Sequence, residues 1–206
     1  MLIYDDAFAA VMTATKDEAT ALGARDYGSE HVLLGLLAAD DDLTQQVVAS
    51  FPDLTTSAVR AAVRGAVDDA PHLARLGITI AAPDPSATTP PGDAQGTVPP
   101  RTKHTPELQS ALDEATAKLA HLRRTQAVPK ERKVGSAVLW LAALEPSARA
   151  SRLLHAMGVE PDGVRTAVLA ALVPAGAAVP PWPADPPVGP VFRLVRRVFG
   201  RTNVAR

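Results

Sequence analysis

The sequence has no cysteine and few aromatic residues. The lack of cysteine excludes disulfides, thiolate metal sites and cysteine nucleophiles together. Aromatic residues make up 4% of the 206 positions, whereas hydrophobic residues, chiefly alanine, leucine and valine, make up 47%. This composition favours closely packed helices over a β-sandwich, and the chain is long enough to bury one sizeable core or two small ones.

Long apolar runs and targeting signals are also missing. No run approaches the roughly 20 residues that a helix needs to span a bilayer. The segment that begins at Met1 does not have the pattern of a signal peptide. We therefore expect a soluble, cytoplasmic protein.

The motifs of common catalytic and cofactor-binding sites do not occur. The chain has no Gly-Lys pair and hence no phosphate-binding loop, and it has neither an H-E-x-x-H nor a G-x-S-x-G motif. The five histidines are not at metal-ligand spacing, and the aspartates at 40–42 favour a turn and a helix cap over a calcium loop. We predict that the protein is not an enzyme and holds no cofactor and no metal.

Charge is distributed unevenly along the chain. The net charge is −1, yet residues 190–206 contain five arginines and no acidic residue, which leaves −6 for the remainder. An acidic body is not typical of a nucleic-acid-binding protein, so no nucleic acid is expected as a partner. The tail alternates arginines with apolar residues and is predicted to form a short basic amphipathic helix.

Apolar residues at helical spacing predict four helices in the first third and four more after a break. The intervening segment is rich in proline, threonine and glycine, as flexible linkers are. We divide the chain into a first helical unit (1–70), an inter-unit linker (71–103), a second helical unit (104–173), a Pro-rich spacer (174–190) and the basic amphipathic tail (191–206).

The two helical units repeat one another. DYGSEHVLLGLL at 26–37 matches KVGSAVLWLAAL at 133–144, and SAVRAAV at 57–63 matches DGVRTAV at 162–168, with offsets of 107 and 105 residues. Because each unit alone has a small core, packing two copies together buries more apolar area. The predicted fold is an all-α, pseudo-twofold duplicated four-helix repeat, that is, an eight-helix bundle.

Two stretches carry a resemblance to a known family. YGSEHVLLGLL at 27–37 is similar to the Y-I-G-T-E-H-I-L-L-G-L motif of the Clp N-terminal repeat, and HTPELQSALDEA at 104–115 resembles the opening of that family's second repeat. The resemblance covers about residues 4–173. It implies a double-repeat Clp N-domain without the ATPase, with Clp ATPase or protease components, adaptors or substrate proteins as partners.

The resemblance also implies candidate ligand-binding residues. In ClpC-type members each repeat has a pocket for phosphorylated arginine, which uses the motif's glutamate and a threonine near the start of the repeat. Glu30 matches the glutamate in the first repeat, where Asp5 stands in place of the threonine; Thr105 matches the threonine in the second, where Ala137 replaces the glutamate. Because Asp5 would repel a phosphoryl group, we expect plain arginine to bind better than phosphoarginine.

The same residues also have structural interpretations. Glu30 at a helix start interacts favourably with the helix macrodipole, which would account for it without a ligand. Ser29 and Thr105 are predicted N-caps, and His31 is predicted to be a core or capping residue.

Two functions follow from these patterns. The first is a non-catalytic module that binds arginine-bearing segments, adaptors or substrates of the Clp system, or acts as a decoy for ligands of a Clp N-domain. The alternative is a scaffold tethered to a membrane or a partner through the tail at 191–206.

Overall fold

The computed structural model describes residues 5–67, 103–129 and 135–184. These residues are mostly helical and contain only a pair of two-residue strands, which confirms the all-α prediction. The linker predicted at 71–103 lies outside the described residues except for Lys103, and the tail at 191–206 lies outside them entirely.

Residues 5–67, the described part of the first half, form four helices and one strand. Asp5 caps α1, and Gly23 follows that helix in the left-handed region (φ +69°), as the position of a glycine after the apolar stripe predicts. The predicted N-cap role of Ser29 is wrong, because Gly28 is the N-cap and Ser29 is the first helical residue. The elements are α1 (Asp6–Ala21), β1 (Asp26–Tyr27), α2 (Ser29–Ala39), α3 (Asp42–Ser50) and α4 (Thr56–Val67).

The second half also forms one strand and four helices within the described residues. Thr105 caps its first helix and Pro106 occupies the first helical position, as the Thr-Pro pair predicts. The elements are β2 (Lys103–His104), α5 (Pro106–Arg124), α6 (Gly135–Ala143), α7 (Arg149–Ala156) and α8 (Pro161–Leu172).

Two helices that are apolar on nearly every side lie at the centre of the fold. All nine residues of α6 are buried, as are eight of the eleven residues of α2. A helix without a polar face must be surrounded by other elements. Accordingly α2 packs against α6, and the remaining helices enclose this pair so that both halves share one hydrophobic core.

Cross-half contacts fix how the two halves sit together. β1 pairs in parallel with β2, with Asp26 opposite Lys103 and Tyr27 opposite His104. In addition, α3 packs against α8, and the indole N–H of the buried Trp140 donates a hydrogen bond to Thr44 Oγ1 at 3.2 Å.

A largely buried charged cluster lies beneath Trp182 of the Pro-rich segment. Lys118 Nζ on α5 lies 2.8 Å from Glu145 Oε2 and 2.7 Å from Glu114 Oε1. Trp182 covers the cluster: its indole N–H donates to Glu145 Oε1, and its ring lies 5.6 Å from Lys118 Nζ. Residues 174–184 are therefore anchored to the helical body at Trp182.

Candidate functional site

The candidate site begins at the N-terminus of α2, where the backbone turns at Gly28. The Gly28 N–H donates a hydrogen bond to His31 Nδ1 at 3.1 Å, so the buried His31 caps the helix. The expected capping role of His31 is confirmed. The same Nδ1 atom lies 3.4 Å from Glu30 Oε1.

Glu30 folds back over Gly28. A Cβ atom at Gly28 would lie 2.5 Å from Glu30 Oε2, so the carboxylate can hold this position only because residue 28 is a glycine. The Glu30 side chain is 14% exposed, and its Oε2 atom is buried without a hydrogen-bond partner among the described residues. A charged acceptor in this state has unused capacity for a donor.

A second carboxylate, that of Glu107, lies beside Glu30 and links helices α2, α5 and α7 through hydrogen bonds. Glu107 Oε1, in the first turn of α5, accepts hydrogen bonds from Ser29 Oγ at 2.9 Å and from the Arg149 backbone N–H at 2.8 Å. Ser29 Oγ in turn accepts from the Ala150 N–H at 3.1 Å. The start of α7 is thus held against the start of α2, even though Arg149 is 119 positions from Glu30 in the chain.

Arg149 brings a positive charge in front of the two carboxylates. Its Nη1 lies 3.7 Å from Glu30 Oε1 and its Nε lies 3.9 Å from Glu107 Oε2. Burial raises the pKa of Glu30. Contact with His31, the hydrogen bond to its own backbone N–H and the positive charge of Arg149 lower it by more, so the net pKa is below the ordinary value. Glu30 is therefore ionised at neutral pH.

An open cavity of about 410 Å³ adjoins Glu30 between α4 and α7. Apart from Glu30, its charged lining consists of Arg149 and Arg152. Its apolar walls are Val63 and Ala66 of α4 and Leu153 and Ala156 of α7. A carboxylate at the end of an apolar cleft suits a side chain with an aliphatic stem and a cationic head, which are the features of arginine and lysine.

The structure brings Thr105 and Glu30 to the same region, but not Asp5. The Thr105 N–H donates to the Tyr27 carbonyl oxygen at 3.0 Å, next to the turn that leads into Glu30, and Thr105 Oγ1 caps α5 by accepting from the Leu108 N–H. The expected pairings within each repeat, Glu30 with Asp5 and Thr105 with Ala137, are therefore not what the fold produces.

Asp5 lies at the start of α6 in the other half. Its carboxylate caps α1 by accepting from the Phe8 N–H at 3.1 Å, and it packs so closely on Gly135 that a Cβ there would overlap it. A separate cavity of about 340 Å³ adjoins Asp5 and Ala137. Ser136 Oγ there donates to Asp41, which also caps α3. Two carboxylates of the chain itself, those of Asp5 and Asp41, thus lie at the start of α6.

Comparison of the sequence with protein-family models and with curated proteins finds no match. Within residues 5–67, 103–129 and 135–184, no three metal-binding side chains come together as a site for an ion. In the same ranges, no helix is both long enough and apolar enough to cross a bilayer.

Sequence reasoning missed three site residues, Glu107, Arg149 and Arg152. Glu107 stands in the first turn of α5, directly after the Thr-Pro pair, so its acidic character at a helix start was a usable signal. Arg149 had no local signal, because its contacts are made to residues far away in the sequence.

Proposed function

We propose that this protein is a non-catalytic binding module that captures arginine-bearing protein segments in the cleft between α4 and α7. The observation that carries the proposal is the Glu30 carboxylate: it is charged, mostly buried, unpartnered at Oε2 and placed at a cavity with apolar walls. Such an acceptor is costly unless a donor reaches it, and a guanidinium supplies two parallel donors.

We further propose that the fold is a duplicated four-helix repeat of the Clp N-terminal type. Sequence matches at offsets of 107 and 105 residues support this, as do the four helices that the structure describes in each half. Helix contacts are also reciprocal: α3 packs against α8 while α4 packs against α7, and α2 meets its counterpart α6. Reciprocal contacts are typical of two copies related by a twofold axis.

In this proposal the protein acts through occupancy. Its partners would be Clp components, adaptors or substrate proteins, and it would work as an adaptor or as a decoy for ligands of a Clp ATPase N-domain. Thr105 supports the site by capping α5 next to Glu30, whereas Asp5 belongs to the other half. Asp5 does not lie at Glu30, and Glu107, the second carboxylate there, already accepts hydrogen bonds from Ser29 and the Arg149 N–H. Because Arg149 and Arg152 line the cavity and would attract a phosphoryl group, we expect phosphoarginine to bind there at least as well as arginine.

Calorimetric titration with arginine, phosphoarginine and an arginine-bearing peptide tests the proposal. Glu30→Gln keeps the shape of the side chain and removes its charge, so we expect each ligand to bind at least about 10-fold more weakly, as for the loss of a hydrogen bond to a charged group. Asp17→Asn, an exposed position on α1, removes the same charge elsewhere and should leave the affinity within about twofold.

Gly28→Ala provides a second variant that keeps the Glu30 charge. The new methyl group would displace the carboxylate from its place over residue 28, and the backbone angle there (φ −107°) suits alanine. We expect weaker binding than in the native protein. Equal affinity in native protein, Glu30→Gln and Gly28→Ala would contradict a role for this carboxylate.

A further inference from the structure

Arg149 faces Glu30 without being bonded to it. Both of its approaches to carboxylate oxygens, 3.7 and 3.9 Å, exceed the 2.7–2.9 Å typical of a charge-assisted hydrogen bond. The side chain is 58% exposed, so water screens the attraction. The Arg149 guanidinium is therefore held loosely in front of the candidate site.

The backbone at this position is, by contrast, firmly held. The Arg149 N–H is bonded to Glu107 Oε1 at 2.8 Å, and the next N–H along the chain is bonded to Ser29 Oγ at 3.1 Å. These bonds do not involve the Arg149 side chain. The guanidinium can therefore swing away from Glu30 while α7 keeps its position.

We propose that Arg149 is an internal competitor for the site: in the empty cleft its guanidinium occupies the space before Glu30 that a ligand's cationic group must enter. This inference rests on the proposed function and adds that Arg149 lowers the affinity of the cleft for its ligand. Arg149 approaches Glu30 Oε1 only to 3.7 Å, so an entering guanidinium that reached this oxygen at hydrogen-bond distance would make a bond that Arg149 does not make.

Arg152 supplies a matched comparison on the same helix. It lies one turn further along α7, lines the same cavity and is exposed. No ion pair of Arg152 occurs in the described part of the chain. Removing either arginine takes one positive charge from the cavity, but only the removal of Arg149 vacates the space before Glu30.

The test is calorimetric titration of an acetylated, amidated Ala-Arg-Ala peptide into native protein, Arg149→Ala and Arg152→Ala at one ionic strength. We expect Arg149→Ala to bind about three- to fivefold more tightly, the gain from removing a screened competing ion pair, and Arg152→Ala to change the affinity by less than about twofold. Arg149→Gln, which keeps most of the side-chain length, should also bind more tightly than native protein and guards against a folding defect in the alanine variant.

The remaining outcomes would contradict either the competitor role of Arg149 or the proposed function. Unchanged or weaker binding in Arg149→Ala and Arg149→Gln overturns the competitor role while leaving the proposed function intact. Equal gains in Arg149→Ala and Arg152→Ala also overturn it, because they would reflect the overall charge of the cavity. If native protein and all variants fail to bind, the proposed function itself is wrong, and the competitor role falls with it.

Discussion

Replacing Lys118 with methionine is expected to lower the free energy of unfolding by about 3–5 kcal/mol, the usual cost of removing one partner of a buried ion pair. Lys118 is 2% exposed and Glu145 is completely buried. Methionine fills a similar volume, so the loss comes from the charge that remains on Glu145 and from the disrupted contacts to Glu114 and Trp182.

Two variants separate this effect from a general effect of the substitution. Lys118→Met combined with Glu145→Gln removes both charges and leaves an amide oxygen to accept from Trp182, so it should recover more than half of the lost stability. Lys16→Met, at an exposed position on α1, should change stability by less than about 0.5 kcal/mol. Urea unfolding of the four proteins measures all of these values, and equal stability of the two single variants would contradict the buried ion pair.

The cost of Lys118→Met should also depend on pH. Burial raises the pKa of Glu145, and nearby Glu114 adds to that rise, while Lys118 and Trp182 oppose it. Without Lys118 the pKa of Glu145 in the folded state rises further above its value in the unfolded state. As the pH falls from the folded-state pKa to the unfolded-state pKa, the carboxyl of Glu145 becomes neutral in the folded protein, and the variant gains stability. The difference between native protein and Lys118→Met should therefore shrink from pH 7 towards the ordinary titration range of glutamate.

Gly35→Ala is expected to destabilise the protein by about 2–3 kcal/mol, because an added methyl group would overpack the crossing of α1 and α2. A Cβ at Gly35 would lie 2.7 Å from the Thr15 backbone nitrogen and 2.8 Å from the Val11 carbonyl oxygen. These are backbone atoms of α1, so relief requires the two helices to move apart in the most buried part of the fold.

Gly65→Ala is the matched control for Gly35→Ala. Gly65 also lies in a helix, but nothing approaches within 4 Å of a Cβ there. Alanine is a better helix former than glycine, so this variant should be stabilised by up to about 0.5–1 kcal/mol. Thermal and urea unfolding should give shifts of opposite sign for the two variants, and a stabilising Gly35→Ala would contradict the close approach of α1 and α2.

Much of the helical architecture could be predicted because its signals are local. Helical spacing of apolar residues predicted the helices, and the Thr-Pro pair predicted the start of α5. The N-cap of α2 was predicted one residue too late, at Ser29 instead of Gly28, because a glycine has no side chain that marks it as a cap in the sequence.

The composition of the site was less predictable because its contacts are long-range. Thr105 contacts the turn before Glu30, and Asp5 contacts Gly135. Both contacts depend on how the two halves pack, and the residue spacing within one repeat does not specify that packing. The Lys118–Glu145 pair under Trp182 was not predicted either, because this contact is also long-range in the sequence. Charged residues are normally exposed, so their burial is visible only once the fold is known.

The central claim is that a cationic side chain binds at Glu30 in the α4–α7 cleft, and backbone amide NMR on the labelled protein tests it most directly. On addition of the acetylated, amidated Ala-Arg-Ala peptide, we predict saturable shifts in the amides of 28–32 and 149–153, with none at Asp5 or at 135–137. Shifts confined to Asp5 and 135–137, or no saturable shift at any amide, would contradict the claim.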